Sequence, residues 1–476
     1  METLPPTIRN AIKITRALSI PYLWVDALCI AQDVEEEKAR DIAKMQALYS
    51  SSALTIIAAS VASVYEDFLD PRVEPEHLYK IPARIGPGLF GSMSINALKG
   101  ACYDERFEPI AKRGWTLQEQ LLSNRSLIFN SRTMMWRCEN SVRNFGNSLY
   151  FPHDLDCGYN DNDEKYSLNL HSIFNNKNDR HSKKENALSC WLRLVTVYSL
   201  RSTTFEHDKL NALASIASHP SFSQTLGPGY FAGLWQHELA RQLTWCTSRW
   251  HRTLAEGDSF TFHRPQTYRA PSWPWASLEG GVINFDFDFD SEDESPPDVI
   301  CEIMSCSTEP VSPAGNPFGE IRSAQLNLRA SARKAWFNPS TSNVFIIPGS
   351  ITSVSTASNP DGCMVTFEEA LQKHKHDFAS SGLDSDLVEE DPEETYLDGT
   401  YFPNMEGTCD ETGLSEPILA LCVAITMRKE VNDSVGGLIH VKSEDRSTVK
   451  WKRIGVFERG RNHDFQHEPK VEICIV

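Results

Sequence analysis

Tyr22-Leu23-Trp24-Val25-Asp26-Ala27-Leu28-Cys29-Ile30-Ala31-Gln32 passes from a wholly apolar run into a polar loop. Tyr22 to Val25 is a short, wholly apolar run of residues suited to a pleated strand covered on both faces. Asp33 follows as a helix cap, and Glu35, Glu36 and Glu37 place negative charge in the first turn, where the dipole favours it. Ile42, Met45 and Tyr49 recur at i, i+3 and i+7 and make one apolar stripe. Ser50 to Ser52 break that helix, and Ala53 to Ala59 reads as a second buried strand. Strand, helix, strand predicts a βαβ unit with parallel strands and a right-handed crossover.

In an open parallel sheet, ligands sit outside the carboxyl ends of the strands. Asp26 falls at that end of the first strand, with Cys29 and Gln32 in the loop behind it. Such groups either bind or react there, or they cap the helix and satisfy loop amides. Position alone leaves both readings open.

With 476 residues, 41% of them hydrophobic and 23% charged, the chain is expected to fold into two or three globular domains. A formal net charge of −18 argues against general nucleic-acid binding, which needs lysine and arginine to displace counterions, and against an anionic membrane surface. No apolar run approaches the roughly 20 residues that span a bilayer. Met-Glu-Thr-Leu-Pro-Pro at the start has no basic n-region or apolar core of a secretory signal. The twelve cysteines lack any Cys-x-x-Cys pair, and Cys29, Cys246, Cys422 and Cys474 sit in apolar runs. They read as reduced and mostly buried, and the chain as cytoplasmic.

Pro5 and Pro6 introduce a helix over Thr7 to Ser19, with Ile8, Ala11, Ile12, Thr15 and Leu18 as its stripe. Gly86-Pro87-Gly88-Leu89-Phe90-Gly91 matches a dinucleotide fingerprint in letters. Pro87 removes one of the amides such a loop needs and no helix follows, so a surface loop is the better account. Arg113-Gly114-Trp115-Thr116-Leu117-Gln118-Glu119 opens a short helix on which Trp115, Gln118, Glu119 and Leu122 share a face. Ser126 to Asn130 and Thr133 to Cys138 then form a hairpin through Ser131-Arg132.

Residues 141–184 read as a polar connection. Helical stripes follow in Glu185 to Arg201, Asp208 to Ser218 and Phe231 to Cys246. From Ala270 the text turns β-like: Val282 to Asp290, Gln325 to Ala330, Asn343 to Ile347, Ile418 to Met427, Gly437 to Val441 and Trp451 to Phe457. Asp384 to Glu394 reads as a solvated, disordered acidic loop. His374-Lys375-His376 has no partner at zinc-ligand spacing, and no metal site is expected.

The block from Tyr22 to Gln32 and the block from Arg113 to Glu119 together resemble two signatures of the HET (heterokaryon incompatibility) domain of filamentous fungi. Leu54 to Ala59 and the Phe129 to Cys138 hairpin fall where that family has them. Asp208-Lys209-Leu210, Ala232-Gly233-Leu234-Trp235 and Pro271-Ser272-Trp273-Pro274-Trp275-Ala276 resemble the region often attached downstream. The family's first block, a strand ending near Ser-Tyr-x-Trp-Gly, is expected ahead of Leu4. The chain therefore reads as truncated relative to the family, or as an inactive member.

The order of patterns gives an α/β fold with a parallel-sheet domain over 1–140, a helical region over 185–250 and a β-rich region over 270–476, and the resemblance implies that the first is a TIR- or flavodoxin-like HET domain. It implies a cell-death effector of self/non-self recognition, acting through a protein partner or homo-oligomer. An enzymatic alternative follows from the likeness of HET to TIR domains, some of which cleave NAD. Glu119 would then stabilise an oxocarbenium-like state, with NAD as substrate and no resident cofactor. Trp115 would stack a ring, and Asp26, Gln32 and Arg113 would bind polar groups. In the contrary reading Asp26 and Arg113 form a buried ion pair and Glu119 satisfies amides.

Overall fold

The computed structural model describes residues 3–30, 44–71, 78–96, 102–103, 108–138, 141–145, 151–152, 182–247, 263–279, 283–285, 296–313, 315–338, 343–346, 395–397, 418–429, 434–443, 449–460 and 465–476. Gln32, the Asp33 cap, Ile42, most of 141–184, the paired histidines near 375 and the acidic run from Asp384 lie outside them. The chain forms two compact units, one of residues 1–295 and 306–325, the other of 296–305 and 326–476.

In the first unit, α1 (Pro6–Ala17) forms as expected, with proline in its first turn and Ile8 and Thr15 buried. Tyr22 to Val25 is not a strand. Val25 is extended (φ −137°, ψ 122°), but no neighbour among the described residues supplies a ladder, and Tyr22 is 87% exposed. A one-turn helix, α2 (Asp26–Cys29), starts directly after it, and Cys29 is exposed, not buried. An extended run becomes a strand only where a partner accepts its amides. Here β1 (Thr55–Ile57) pairs elsewhere.

Its partner is β4 (Arg125–Phe129), in parallel register Thr55↔Ser126 to Ile57↔Ile128. The helix α3 (Trp115–Leu122) leads straight into that strand. β5 (Met134–Cys138) and β6 (Ser141–Asn144) extend the sheet antiparallel, in the order β1-β4-β5-β6. The sheet is thus mixed, with one parallel pair among the described strands. Ile57, Ala59, Ile128 and Met135 form its buried apolar cluster.

The glycine-rich segment is a hairpin turn. β2 (Leu78–Gly86) pairs antiparallel with β3 (Leu89–Asn96), closing through Pro87-Gly88. Gly88 has φ +75°, the left-handed position that follows proline in a type II turn. No helix opens from it, which excludes a phosphate-binding reading.

The helical part of this unit is organised by indoles. α4 (Lys183–Ser199) is capped by a Ser182/Glu185 capping box. α5 (Asp208–Ala217) and α6 (Pro220–Leu226) follow it. The helix expected over Phe231 to Cys246 does not form. Ala232 (φ +50°), Gly233 (φ +99°) and Glu238 (φ +56°) are left-handed, so the segment folds as β7 (Tyr230–Phe231), β8 (Leu234–Trp235) and one turn, α7 (Leu239–Gln242). The Gly233 carbonyl accepts the indole N–H of Trp191 (2.9 Å) and of Trp275 (3.1 Å). A Cβ on Gly233 would fall 2.7 Å from the Trp275 ring. Burying those rings outweighs one helix, because each takes about 150–250 Å² from water.

The second unit is built on the β-rich text. β9 (Glu302–Pro310) and β10 (Ile321–Asn338) begin in the first unit's residues or end there, and β9 was not legible as a strand. Residues 326–331 of β10 pair with β14 (Lys470–Ile475), and residues 332–337 pair with β11 (Ile418–Arg428). β11, β12 (Ser434–Lys442) and β13 (Trp451–Gly460) run as an antiparallel meander. Trp451 meets Ile475 in a parallel contact, so five of the described strands close into a barrel. One buried cluster on its strands holds Ala335, Cys422, Ile439, Ile454 and Phe465. His440, fully buried, stands opposite Arg453, also fully buried.

Candidate functional site

The second signature block is held by chain far beyond it. Gly114 precedes α3, and its amide donates to the Ser202 carbonyl (2.7 Å), while the Ser202 amide donates to Lys112 (2.8 Å). A Cβ on Gly114 would lie 2.6 Å from Thr203 and 3.3 Å from both the Ser202 carbonyl and the Tyr198 hydroxyl. Only glycine permits that approach. Arg201 is buried and donates to the Arg113 carbonyl (3.2 Å) and the Thr116 hydroxyl (3.0 Å). The Trp115 indole donates to Asp208 (3.2 Å) at the start of α5. That bond fixes the indole edge-on to a carboxylate.

Along α3, Leu117 and Leu122 face the core. Gln118 is also buried, and its amide oxygen has no hydrogen-bond partner. It belongs to the core side, apart from Trp115 and Glu119, which are only partly buried. Glu119 accepts a hydrogen bond from the Tyr49 hydroxyl. Tyr49 in turn packs edge-on against Trp24 of the first block, ring centroids 5.9 Å apart.

Asp26 and Arg113 complete the cluster, close enough for their charges to act on Glu119. Desolvation raises Glu119 most, the Asp26 charge adds to it, and Arg113, the Tyr49 hydrogen bond and Arg201 oppose it; the carboxyl is pushed up to about 7. Burial, Glu119 and Asp26 likewise raise the Tyr49 phenol well above its ordinary value. Asp26 and Arg113 are both exposed, which overturns the buried ion pair between them. Ser123, one turn past Glu119, bonds to Thr55 (2.8 Å), the first residue of β1. The cluster therefore flanks the amino ends of β1 and β4, not the carboxyl ends expected from the strand at Tyr22.

Two signature blocks, distant in sequence, meet at one partly exposed cluster of carboxylates and a guanidinium. The heterokaryon incompatibility protein (HET) family model matches residues 1–119. Residues 1–119 thus carry a HET domain. No curated protein and no solved structure shows significant similarity to the chain.

Within the HET domain, the structure brings Asp26, Arg113 and Glu119 together. Cys29 lies on the same one-turn helix as Asp26, its sulfur 3.5 Å from the Val25 amide, and Gln118 stays in the core. Tyr49, Arg201 and Asp208 were not legible as site residues. Tyr49 carried only the signal of a helical stripe, and Arg201 carried none. A carboxyl that titrates near neutrality beside an exposed second carboxylate can both give and take a proton. Among the described residues no group of His, Cys, Asp and Glu could hold a metal ion. None of their helices is long and apolar enough to cross a membrane.

Proposed function

We propose that this chain is an effector of programmed cell death in fungal heterokaryon incompatibility, acting through oligomerisation or partner contacts of its HET domain. The convergence of both signature blocks on the Asp26–Arg113–Glu119 cluster supports this reading. Residues serving only the fold would have no reason to hold a second carboxylate beside Glu119 near the surface, where the Asp26 charge raises the cost of ionising it. Inducible expression of the full chain in fungal hyphae tests it. Cell death that is lost with Arg113→Glu, at equal protein level and unchanged circular dichroism, is the expected result. Indifferent growth with the parent chain would sink it.

The asymmetry of the two carboxylates favours a second reading, an NAD glycohydrolase. Water would replace nicotinamide at the ribose carbon, releasing nicotinamide, ADP-ribose and a proton. The Glu119 carboxylate would stabilise the positive charge that develops on the ribose as the bond to nicotinamide breaks. Incubating the purified chain with NAD and following nicotinamide separates the readings. Cell death without nicotinamide release leaves the first and removes the second.

A further inference from the structure

The first unit carries two surface features that the HET cluster does not use. One is a cavity of about 460 Å³ at the carboxyl ends of the parallel strands β1 and β4. The loops after both strands line it, including Tyr65, Glu66, Asp67, Phe68, Asp70 and Ser131. Three carboxylates face it, and none of the lining residues is basic. Asp67 is occupied by Asn10 and the Leu69 amide, and Glu66 by the Ala62 amide (3.3 Å). Asp70 is exposed. This is the edge where an open α/β sheet takes its ligands.

The other is the tip of the β2–β3 hairpin. Arg84 stands directly opposite Phe90, which puts a guanidinium and an aromatic ring on one face, with Lys80 further along it. Phe90 is 75% exposed, and Ile85 and Leu89 beside the turn are 65% and 59% exposed. A two-stranded hairpin with exposed apolar side chains is marginal on its own and gains by packing against something. The tip is basic and aromatic; the cavity is acidic and lined by Tyr65 and Phe68.

We propose that the hairpin tip of one copy of this chain docks in the carboxylate-lined cavity of a second copy. Arg84 pairs with Asp70 and Glu66 at the mouth, and Phe90 lies against Tyr65. The contact joins two different surfaces, so it is heterologous and propagates from copy to copy unless a ring closes. This supplies an assembly surface for the oligomerisation reading above and rests on it only for its purpose. The association itself is read in vitro and fails or holds independently of cell death.

The test is sedimentation velocity on the purified full chain over a concentration series. At about 0.15 M salt, repulsion between two acidic copies is screened beyond about 8 Å, while a direct contact persists. The parent chain is expected to associate with rising concentration. Arg84→Glu and Asp70→Lys, both at exposed positions, should each weaken association about tenfold or more. The double variant, with the charges exchanged, should regain it. Phe90→Ser should weaken it without any change of charge. A parent chain that stays monomeric, single variants that associate as the parent does, or a double variant that fails to recover would each overturn the proposal.

Discussion

Tyr49 donates its hydroxyl hydrogen bond to the Glu119 carboxylate, which ties the helix at residues 44–51 to the second HET signature block. Through the Trp24 ring packed on Tyr49, the same contact reaches the first block. One phenol thus stands between the two motifs, and it steadies the ionised form of a carboxyl that burial otherwise drives towards neutrality.

Glu119 makes the fold sensitive to pH. Its folded-state value, about 7, lies above the ordinary 4.5, so between these the native chain holds more proton than the unfolded one. The stability this gives is complete below about pH 4.5 and declines as pH rises through 7. Glu119→Gln cannot ionise and still accepts from Tyr49. It should melt higher than the parent at about pH 8, by the equivalent of roughly 2–3 kcal/mol, and show no such gain at about pH 4. Thermal melts of both proteins at the two pH values decide it.

Gly114→Ala should loosen the clamp on the second block. The new methyl meets Thr203, the Ser202 carbonyl and the Tyr198 hydroxyl at once. A cost of about 1–3 kcal/mol is expected from overpacking. Amide exchange at Gly114 and Ser202 residues should quicken with it; unchanged melting and exchange would show that the loop yields freely.

Glu279 takes both Lys209 (3.0 Å) and Arg269 (2.7 Å), two cations almost wholly buried. Burial pushes the Glu279 carboxyl up, but Lys209 and Arg269 together pull it below its ordinary value. Burial lowers Lys209 to about 8, even with Glu279 opposing it. Glu279→Gln leaves two desolvated cations facing a neutral amide. Destabilisation of about 3–5 kcal/mol is expected in denaturant unfolding of the first unit. A loss under about 1 kcal/mol, the range of exposed pairs, would show that water already screens the triad.

In the barrel, His440 is lowered to about 3 by burial and by the Arg453 charge, with the Leu421 backbone opposing them in part. The unfolded chain then binds the extra proton first. Stability from this residue is present above about pH 6.5 and is lost as pH falls towards 3. His440→Leu should remove that dependence, worth on the order of 2–3 kcal/mol by about pH 4. Acid titration followed by Trp fluorescence, in parent and variant, should separate the two midpoints.

Local patterns carried much of the architecture. The stripes at Leu188-Trp191-Leu192-Val195 and Leu210-Leu213-Ala217 predicted α4 and α5, and a capping box confirms where α4 begins. The continuous apolar run of Ile418 to Met427 predicted a strand, and both of its faces are buried over residues 420–426. These elements follow from side-chain periodicity, which the order of residues contains in full.

What failed was whatever depended on a partner. Tyr22 to Val25 has the composition of a strand, but strand formation needs a neighbour's amides and carbonyls, and among the described residues no strand lies in register beside it, although Thr55–Ile57 sits at the edge of its sheet. Phe231 to Cys246 has helical spacing, yet the indoles of Trp191 and Trp275 claim the Gly233 carbonyl and turn the chain there.

The same division holds at the site. Asp26, Arg113 and Glu119 stand out in the sequence, because charged residues within apolar motifs are costly to keep and so signal a use. Their meeting does not, for it depends on Tyr49, Arg201 and Gly114 finding partners that are distant along the chain. Sequence alone determined which residue types the HET blocks present. That Glu119 is desolvated, hydrogen-bonded by Tyr49 and placed beside Asp26 follows from the packing of distant segments, because proximity and burial, not identity, set where a carboxyl titrates.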